Sequence, residues 1–183
     1  GYSIINSMKH RYLTKHNAFW LSVEMLVLWV LASPQIAKPW YDSLLFQPWL
    51  SGSDTSITSL AGIKKQNITI LTKAGTKLSA WYFQVPNAKR TLLISQGNGG
   101  AMADRTKLIE SFLPYQVSVL EYDYAGYGSS SGKPTPNEML EDGDAVYDYL
   151  TNVLKVDPAS IVVVGESIGS GVACHIAAHH PCN

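Results

Sequence analysis

The chain has 183 residues, 46% of them hydrophobic, and its 14 lysines and arginines balance 14 aspartates and glutamates. That length and composition suit one domain with a real core and exclude a disordered chain. The balanced charge, with no basic stripe, excludes a nucleic-acid partner.

Met8 opens the basic run Met8-Lys9-His10-Arg11-Tyr12-Leu13-Thr14-Lys15-His16, which has the character of an initiator region with residues 1–7 upstream of it. Residues 18–32 follow, apolar apart from Ser22 and Glu24, and they stop at Ser33-Pro34. As a helix these roughly 15 residues reach about 23 Å, short of a hydrocarbon core of about 30 Å. Three readings fit: an uncleaved signal anchor or short membrane anchor, a cleaved export signal, or a helix packed on the domain. The first is preferred, and the positive flank then keeps the N-terminus cytoplasmic. Glu24 is costly in lipid, and Ala32-Ser33 is not a clean cleavage site. Residues 1–36 form this N-terminal segment. Residues 37–62, with Pro39-Trp40-Tyr41, Phe46-Gln47-Pro48-Trp49 and a Ser/Gly/Thr-rich piece, read as a linker that lies against the domain, and residues 63–183 as the domain.

Alternating runs at 68–71 and 78–84, separated by Lys73-Ala74-Gly75-Thr76, predict a hairpin. Residues 91–95 form the next strand and lead into Gln96-Gly97-Asn98-Gly99-Gly100-Ala101-Met102-Ala103-Asp104-Arg105. Such a glycine-rich loop presents free backbone N–H groups to an anion, and it lacks the Gly-Lys-Ser/Thr of a nucleotide loop. An amphipathic helix over 102–113 places Leu108, Ile109 and Phe112 on one face. The strand at 117–122 then runs into Asp123-Tyr124-Ala125-Gly126-Tyr127-Gly128-Ser129-Ser130-Ser131-Gly132, where Asp123 and Ser130 are expected to bond the local backbone. Thr135-Pro136-Asn137-Glu138 starts a helix with a capping box. Asp142, Asp144 and Asp148 on that helix read as a solvated face rather than a metal site.

The β-branched run at 161–164 ends in Gly165-Glu166-Ser167-Ile168-Gly169 and continues into small residues at helical spacing. A serine between two glycines, on a tight turn from strand to helix, is a nucleophile elbow. It would present Ser167 beside the Ile168 N–H and the positive end of a helix dipole. Of the two cysteines, Cys174 reads as a buried free thiol and Cys182 closes the same helix; their spacing excludes a C-x-C metal site.

Taken together, Gly97-Asn98-Gly99-Gly100 with Arg105, Asp123-Tyr124-x-Gly126-Tyr127-Gly128-x-Ser130-x-Gly132, the capped helix and Gly165-x-Ser167-x-Gly169 resemble the α/β-hydrolase superfamily. Within it the likeness is to the lysophospholipase, acyl-protein thioesterase and serine aminopeptidase-like branch. The resemblance covers residues 63–180. It implies an α/β fold, a mostly parallel sheet with helices on both faces. It also implies Ser167 as nucleophile and the backbone N–H groups of Asn98 and Ile168 as the oxyanion donors. No cofactor or metal is implied. The substrate class would be small-molecule or lipid-like acyl esters or thioesters, and peptides are not ranked against them. Similar proteins often carry an N-terminal membrane segment followed by a Leu-Leu-Phe-x-Pro stretch, here Leu44-Leu45-Phe46-Gln47-Pro48. This favours membrane association through residues 18–32. Where the family usually has His before Gly-Asn this chain has Gln96, and where it often has Arg this chain has Ala125.

In that superfamily the acid and the histidine follow the nucleophile in chain order. After Ser167 this chain has no Asp or Glu, and His175, His179 and His180 lie on the helix leaving the elbow. His175 would be about 12 Å along that helix, beyond the roughly 3 Å a proton transfer needs. The 161–164 strand would also be left with an open edge. The expectation is therefore a hydrolase truncated after the elbow and its helix, inactive as this fragment. The alternative is a degenerate, non-catalytic product that at most binds a ligand or partner.

Overall fold

A computed structural model of the chain describes residues 2–33, 38, 41, 42, 44–50 and 56–183, with side chains from residue 17 onward. It divides into two compact units, Gly1–Leu44 and Leu45–Asn183.

The first unit contains helix α1 (Tyr2–Ala32). Residues 2–32 hold no glycine or proline, so nothing interrupts the hydrogen-bond ladder until Ser33, which precedes Pro34 and is steered out of the helical region. Phe19, Trp20, Leu21, Met25, Leu26, Val27, Leu28, Trp29 and Leu31 are all exposed. Apolar side chains thus point out on every side of the helix. Among the described residues, no helix is long and apolar enough to cross a membrane.

The second unit is built on a six-stranded sheet: β1 (Ser59–Leu60), β2 (Ile63–Leu71), β3 (Lys77–Phe83), β4 (Arg90–Ser95), β5 (Val117–Tyr122) and β6 (Ile161–Gly165). The spatial order is β1-β2-β3-β5-β4-β6. The first three strands join one another and β5 in antiparallel fashion, whereas β5, β4 and β6 run parallel. Helices α2 (Thr106–Phe112), α3 (Pro136–Asp148) and α4 (Gly169–His179) follow β4, β5 and β6 respectively.

Alternation along the strands explains the two layers. Leu78, Ala80, Tyr82, Leu93, Leu120 and Tyr122 face Met139, Val146 and Leu150 of the α3 region and Val172 and Ile176 of α4. Trp81, Phe83, Leu92, Ile94 and Val119 face Met102, Ile109 and Leu113 around α2. Helices therefore cover both faces of the sheet, as the resemblance implies; with three antiparallel and two parallel pairings the sheet is mixed, its parallel part being β5-β4-β6. Thr135 caps α3 by accepting from the Glu138 N–H at 3.2 Å, an interaction of about 1 kcal/mol.

Four expectations are corrected. Residues 45–62, read as part of a linker lying against the domain, are more than apposed to it and belong to its compact unit: Phe46 is 3% exposed within the main core, and Gln47 bridges to Gly99 in parallel register. Of the predicted linker 37–62, residues 37, 39, 40, 43 and 51–55 lie outside the described residues. The helix expected over 102–113 is split into a 3-10 turn (Met102–Arg105), α2 and a second 3-10 turn (Leu113–Tyr115), and Leu108 turns outward. Asp142 is not solvated; it is buried between Met139 and Val146 on the sheet-facing stripe of α3 and accepts the Ala125 N–H at 2.8 Å. Cys174 is exposed, because α4 turns Val172, Ala173 and Ile176 inward and leaves position 174 on the outer face.

Candidate active site

Strand β6 delivers the chain to the elbow at the C-terminal end of the parallel strands, the side where open α/β sheets hold ligands. Ser167 has φ +52°, a left-handed conformation that costs a non-glycine residue energy and must be held by its surroundings. The two glycines supply the room. A Cβ on Gly165 would lie 2.4 Å from the Gly169 carbonyl oxygen, and one on Gly169 would lie 2.2 Å from that of Ser95. The Glu166 N–H donates to the Ser95 carbonyl at 3.0 Å, docking the elbow on the end of β4. Ser167 itself is exposed.

Across from it lies the glycine-rich loop. A Cβ added to Gly97 would stand 3.4 Å from the Ser167 Cβ, so the loop and the elbow are in direct apposition. Among the described residues, the backbone N–H groups of Asn98 and Ile168 donate to no protein group. The three residues named from sequence, Ser167, Asn98 and Ile168, thus lie at the meeting of one loop with one turn.

Side chains from β5 and the loop after it fix the glycine-rich loop from below. Tyr122 Oη and Ser95 Oγ share a hydrogen bond at 3.0 Å, Tyr124 Oη donates to the Gln96 carbonyl at 3.0 Å, and Tyr127 Oη donates to the Asn98 carbonyl at 3.0 Å. The rings meet edge to face, with centroids 5.2 Å and 6.1 Å apart, a favoured aromatic geometry. The Met102 N–H donates to Asp123 Oδ1 at 2.8 Å, and Ser130 Oγ donates to the Asp123 carbonyl at 2.7 Å. Ser130 therefore bonds the local backbone, as expected, whereas Asp123 takes its shorter bond from Met102 of the glycine-rich loop and reaches the local Ser129 N–H at 3.5 Å.

Arg105 spans the two halves. Its guanidinium pairs with Glu166 of the elbow, and its Nη2 donates to the Gly99 carbonyl at 3.2 Å. Below it, Arg105 Nε stands 3.6 Å from Glu121 Oε1. Both carboxyl oxygens of Glu121 are buried without a hydrogen-bond partner among the described residues. Burial lifts the Glu121 pKa to about 8, with Arg105 opposing the rise and Asp123 adding to it. Gln96, where the resemblance leads one to expect His, is fully buried; its Nε2 reaches Asp123 Oδ1 at 3.5 Å and its Oε1 has no partner among the described residues.

The histidines after the elbow are engaged elsewhere. His175 Nε2 lies 3.1 Å from both oxygens of Asp144, and His180 Nε2 lies 2.8 Å from Asp144 Oδ1. Burial works against the ionised carboxyl, but these contacts outweigh it and hold the Asp144 pKa below its ordinary value. The pairing joins α4 and the residue after it to α3. Asp144 is therefore not simply solvated either. Among the described residues, no group of three or more His, Cys, Asp or Glu side chains is placed to hold a metal ion.

The sequence reading named Arg105 only as part of a motif and missed the roles of Tyr122, Tyr124 and Tyr127. Their signal was present as three tyrosines in six positions straddling a strand end. What they bond lies 27 to 29 residues earlier in the chain.

Residues 90–183 match the model of the alpha/beta hydrolase fold, and the chain belongs to that family. Among relatives, it is 27% identical over 158 residues to the alpha/beta hydrolase domain-containing protein WAV2 of Arabidopsis thaliana, covering 83% of this chain and 51% of that one. It is 29% identical over 137 residues to the uncharacterized membrane protein YNL320W of Saccharomyces cerevisiae, covering 73% and 48%. The chain thus spans about half the length of these curated relatives. Among solved structures, an esterase from Pyrococcus furiosus superposes with a TM-score of 0.58 at 23% identity, over 64% of this chain and 46% of that one. An alpha-beta hydrolase from Vibrio vulnificus gives 0.58 and 23%, over 64% and 42%. At these identities the structures speak for the fold.

Proposed function

We propose that this chain carries the nucleophile half of a serine hydrolase acting on acyl esters or thioesters. The observation that carries the reading is the elbow: an exposed Ser167 at φ +52°, between two glycines that tolerate no Cβ, facing a loop whose Asn98 N–H donates to no protein group among the described residues. In the proposed reaction Ser167 Oγ attacks the acyl carbonyl carbon and gives up its proton to a general base. The oxyanion that forms takes hydrogen bonds from the Asn98 and Ile168 N–H groups. Collapse expels the alcohol or thiol and leaves an acyl-serine ester, which water then cleaves to the free acid. His175 and His180 are occupied with Asp144, so the base and its acid partner are proposed to come from sequence following residue 183. The greater length of the relatives supports this.

An apolar acyl group suits the surroundings. The Gln47–Gly99 bridge brings a 3-10 turn (Pro48–Leu50) alongside the loop, and Trp49 and Leu50 on that turn are 67% and 57% exposed. The test is hydrolysis of p-nitrophenyl esters by the full-length gene product. Saturable turnover is expected, falling by roughly 10³-fold or more in Ser167→Ala. Undiminished turnover in that variant would overturn the assignment.

We further propose membrane association through residues 18–32 as an uncleaved signal anchor. The exposed apolar side chains around α1 support it, as does the membrane designation in the yeast relative's name. Recovery with membranes after alkaline carbonate extraction, lost on deleting residues 1–36, is the expected result. A mature N-terminus beginning just after residue 32 would instead mean a cleaved export signal.

A further inference from the structure

Residues 45–50 do more than lead into the domain. Phe46 is buried in the same core cluster as Tyr124 and Tyr127, so hydrophobic burial anchors the segment. From that anchor it reaches the glycine-rich loop by several independent contacts. The Gln47 N–H donates to Tyr127 Oη at 3.1 Å, and Tyr127 Oη in turn donates to the Asn98 carbonyl at 3.0 Å. Asn98 Nδ2 donates to the Leu45 carbonyl at 2.7 Å, and Gln47 pairs with Gly99. Asn98 is thus held by its carbonyl oxygen and by its side chain, while its N–H donates to no protein group among the described residues.

We propose that Tyr127 is a positioning residue for the hydrolytic reaction, and that residues 45–50 are a strap that sets the direction of the Asn98 N–H. The inference rests on the serine-hydrolase reading above. The physical reason is geometric. A peptide N–H and the preceding carbonyl share one plane, but an N–H and its own residue's carbonyl are linked through φ and ψ. Fixing the Asn98 side chain and carbonyl leaves little freedom at either angle. A glycine on each side would otherwise let the peptide unit flip. An oxyanion donor is effective only if it is already aimed when charge develops, so a loop that samples other directions loses rate and not ground-state affinity. Tyr127 is fully buried, so its hydroxyl does not exchange this bond for one to water.

The experiment uses the full-length gene product and three variants: Tyr127→Phe, Asn98→Ala and, as control, the exposed Tyr115→Phe. For Tyr127→Phe the expected result is a kcat on p-nitrophenyl esters lowered by about 10- to 100-fold with KM within about twofold. Amide hydrogen exchange in residues 97–101 should rise at least ~5-fold, with exchange in the elbow helix unchanged. Asn98→Ala, which releases the loop from Leu45 without touching the core, should move both readouts the same way, and it decides the question should Tyr127→Phe not fold. Tyr115→Phe should match the parent. Parent-like exchange in residues 97–101 in both loop variants would overturn the strap. Faster exchange with unchanged kcat would overturn the positioning role. Absence of any Ser167-dependent turnover in the parent would overturn the hydrolase reading, and the exchange measurement would still decide whether the strap holds the loop.

Discussion

The two halves of the site face each other at contact distance but are made in opposite ways. The elbow is built largely from backbone: a Cβ on Gly165 would strike Gly169 and Ser170 a turn away, one on Gly169 would strike the Ser95 and Gln96 carbonyls at the end of β4, and Glu166 ties the turn to Ser95 by its N–H and to Arg105 by its carboxylate. The glycine-rich loop is held from afar. Tyr124 and Tyr127 reach it across 28 and 29 residues, and Leu45 accepts from it across 53. Arg105 is where the two systems meet. Placing the proposed nucleophile takes mainly space and a rigid turn around one strained residue. An anion-binding loop must keep flexible glycines in one arrangement, and that takes long-range hydrogen bonds.

The largest way to break this contrast is to fill the elbow. Gly169→Ala drives a methyl group into the Ser95 and Gln96 carbonyls, and it should cost about 3 kcal/mol or more by chemical denaturation, since rigid backbone cannot give way as a side chain can. By contrast, Gly171→Ala on the same helix meets nothing within 4 Å and should be tolerated.

Glu121 offers the next effect, through pH. Its folded pKa of about 8 stands above the ordinary 4.5. The folded state therefore holds a proton that the unfolded chain releases first, and stability declines as pH rises from about 4.5 to 8. Denaturation at pH 5 and pH 8 should show that Glu121→Gln removes part of this loss, on the order of a few kcal/mol. Asp142, lifted by burial to about 7, titrates in the same direction and keeps the residual slope. A variant with the parent's full slope would mean that Glu121 is not the group responsible.

Smaller again is Tyr124→Phe, which removes one buried hydrogen bond to the Gln96 carbonyl. About 1–2 kcal/mol of destabilisation is expected, with loop exchange raised near residue 96 and the elbow unaffected. Least of all for stability is Trp49→Ser. Its side chain is exposed, so thermal stability should hold, while the preference among ester chain lengths shifts toward short acyl groups.

The same contrast explains what could be read from the sequence. Although Gly169 is also hemmed in by the distant Ser95 and Gln96 carbonyls, the hairpin, the capped helix and the turn at the elbow are short-range structures, so Gly-x-Ser-x-Gly, Lys73-Ala74-Gly75-Thr76 and Thr135-Pro136-Asn137-Glu138 carry their own signals. The strap does not. Residues 45–50 have no period and contain Pro48, and their role depends on Phe46 finding a core made from strands far along the chain. Asp142 and Cys174 fail for a related reason. Each was judged by residue type, acidic for outside and thiol for inside, whereas the helix stripe decided. Asp142 falls between Met139 and Val146, and Cys174 falls off the line through Val172, Ala173 and Ile176. The tyrosines at 122, 124 and 127 are visible as a cluster, but their partners follow only from the pairing of β5 with β4.

The most direct test of the central claim is intact-mass analysis of the full-length gene product after treatment with a fluorophosphonate, followed by peptide mapping. The account predicts a single phosphonyl adduct on Ser167, absent in Ser167→Ala and formed more slowly in Tyr127→Phe. An unmodified protein, or an adduct on another residue, would contradict it.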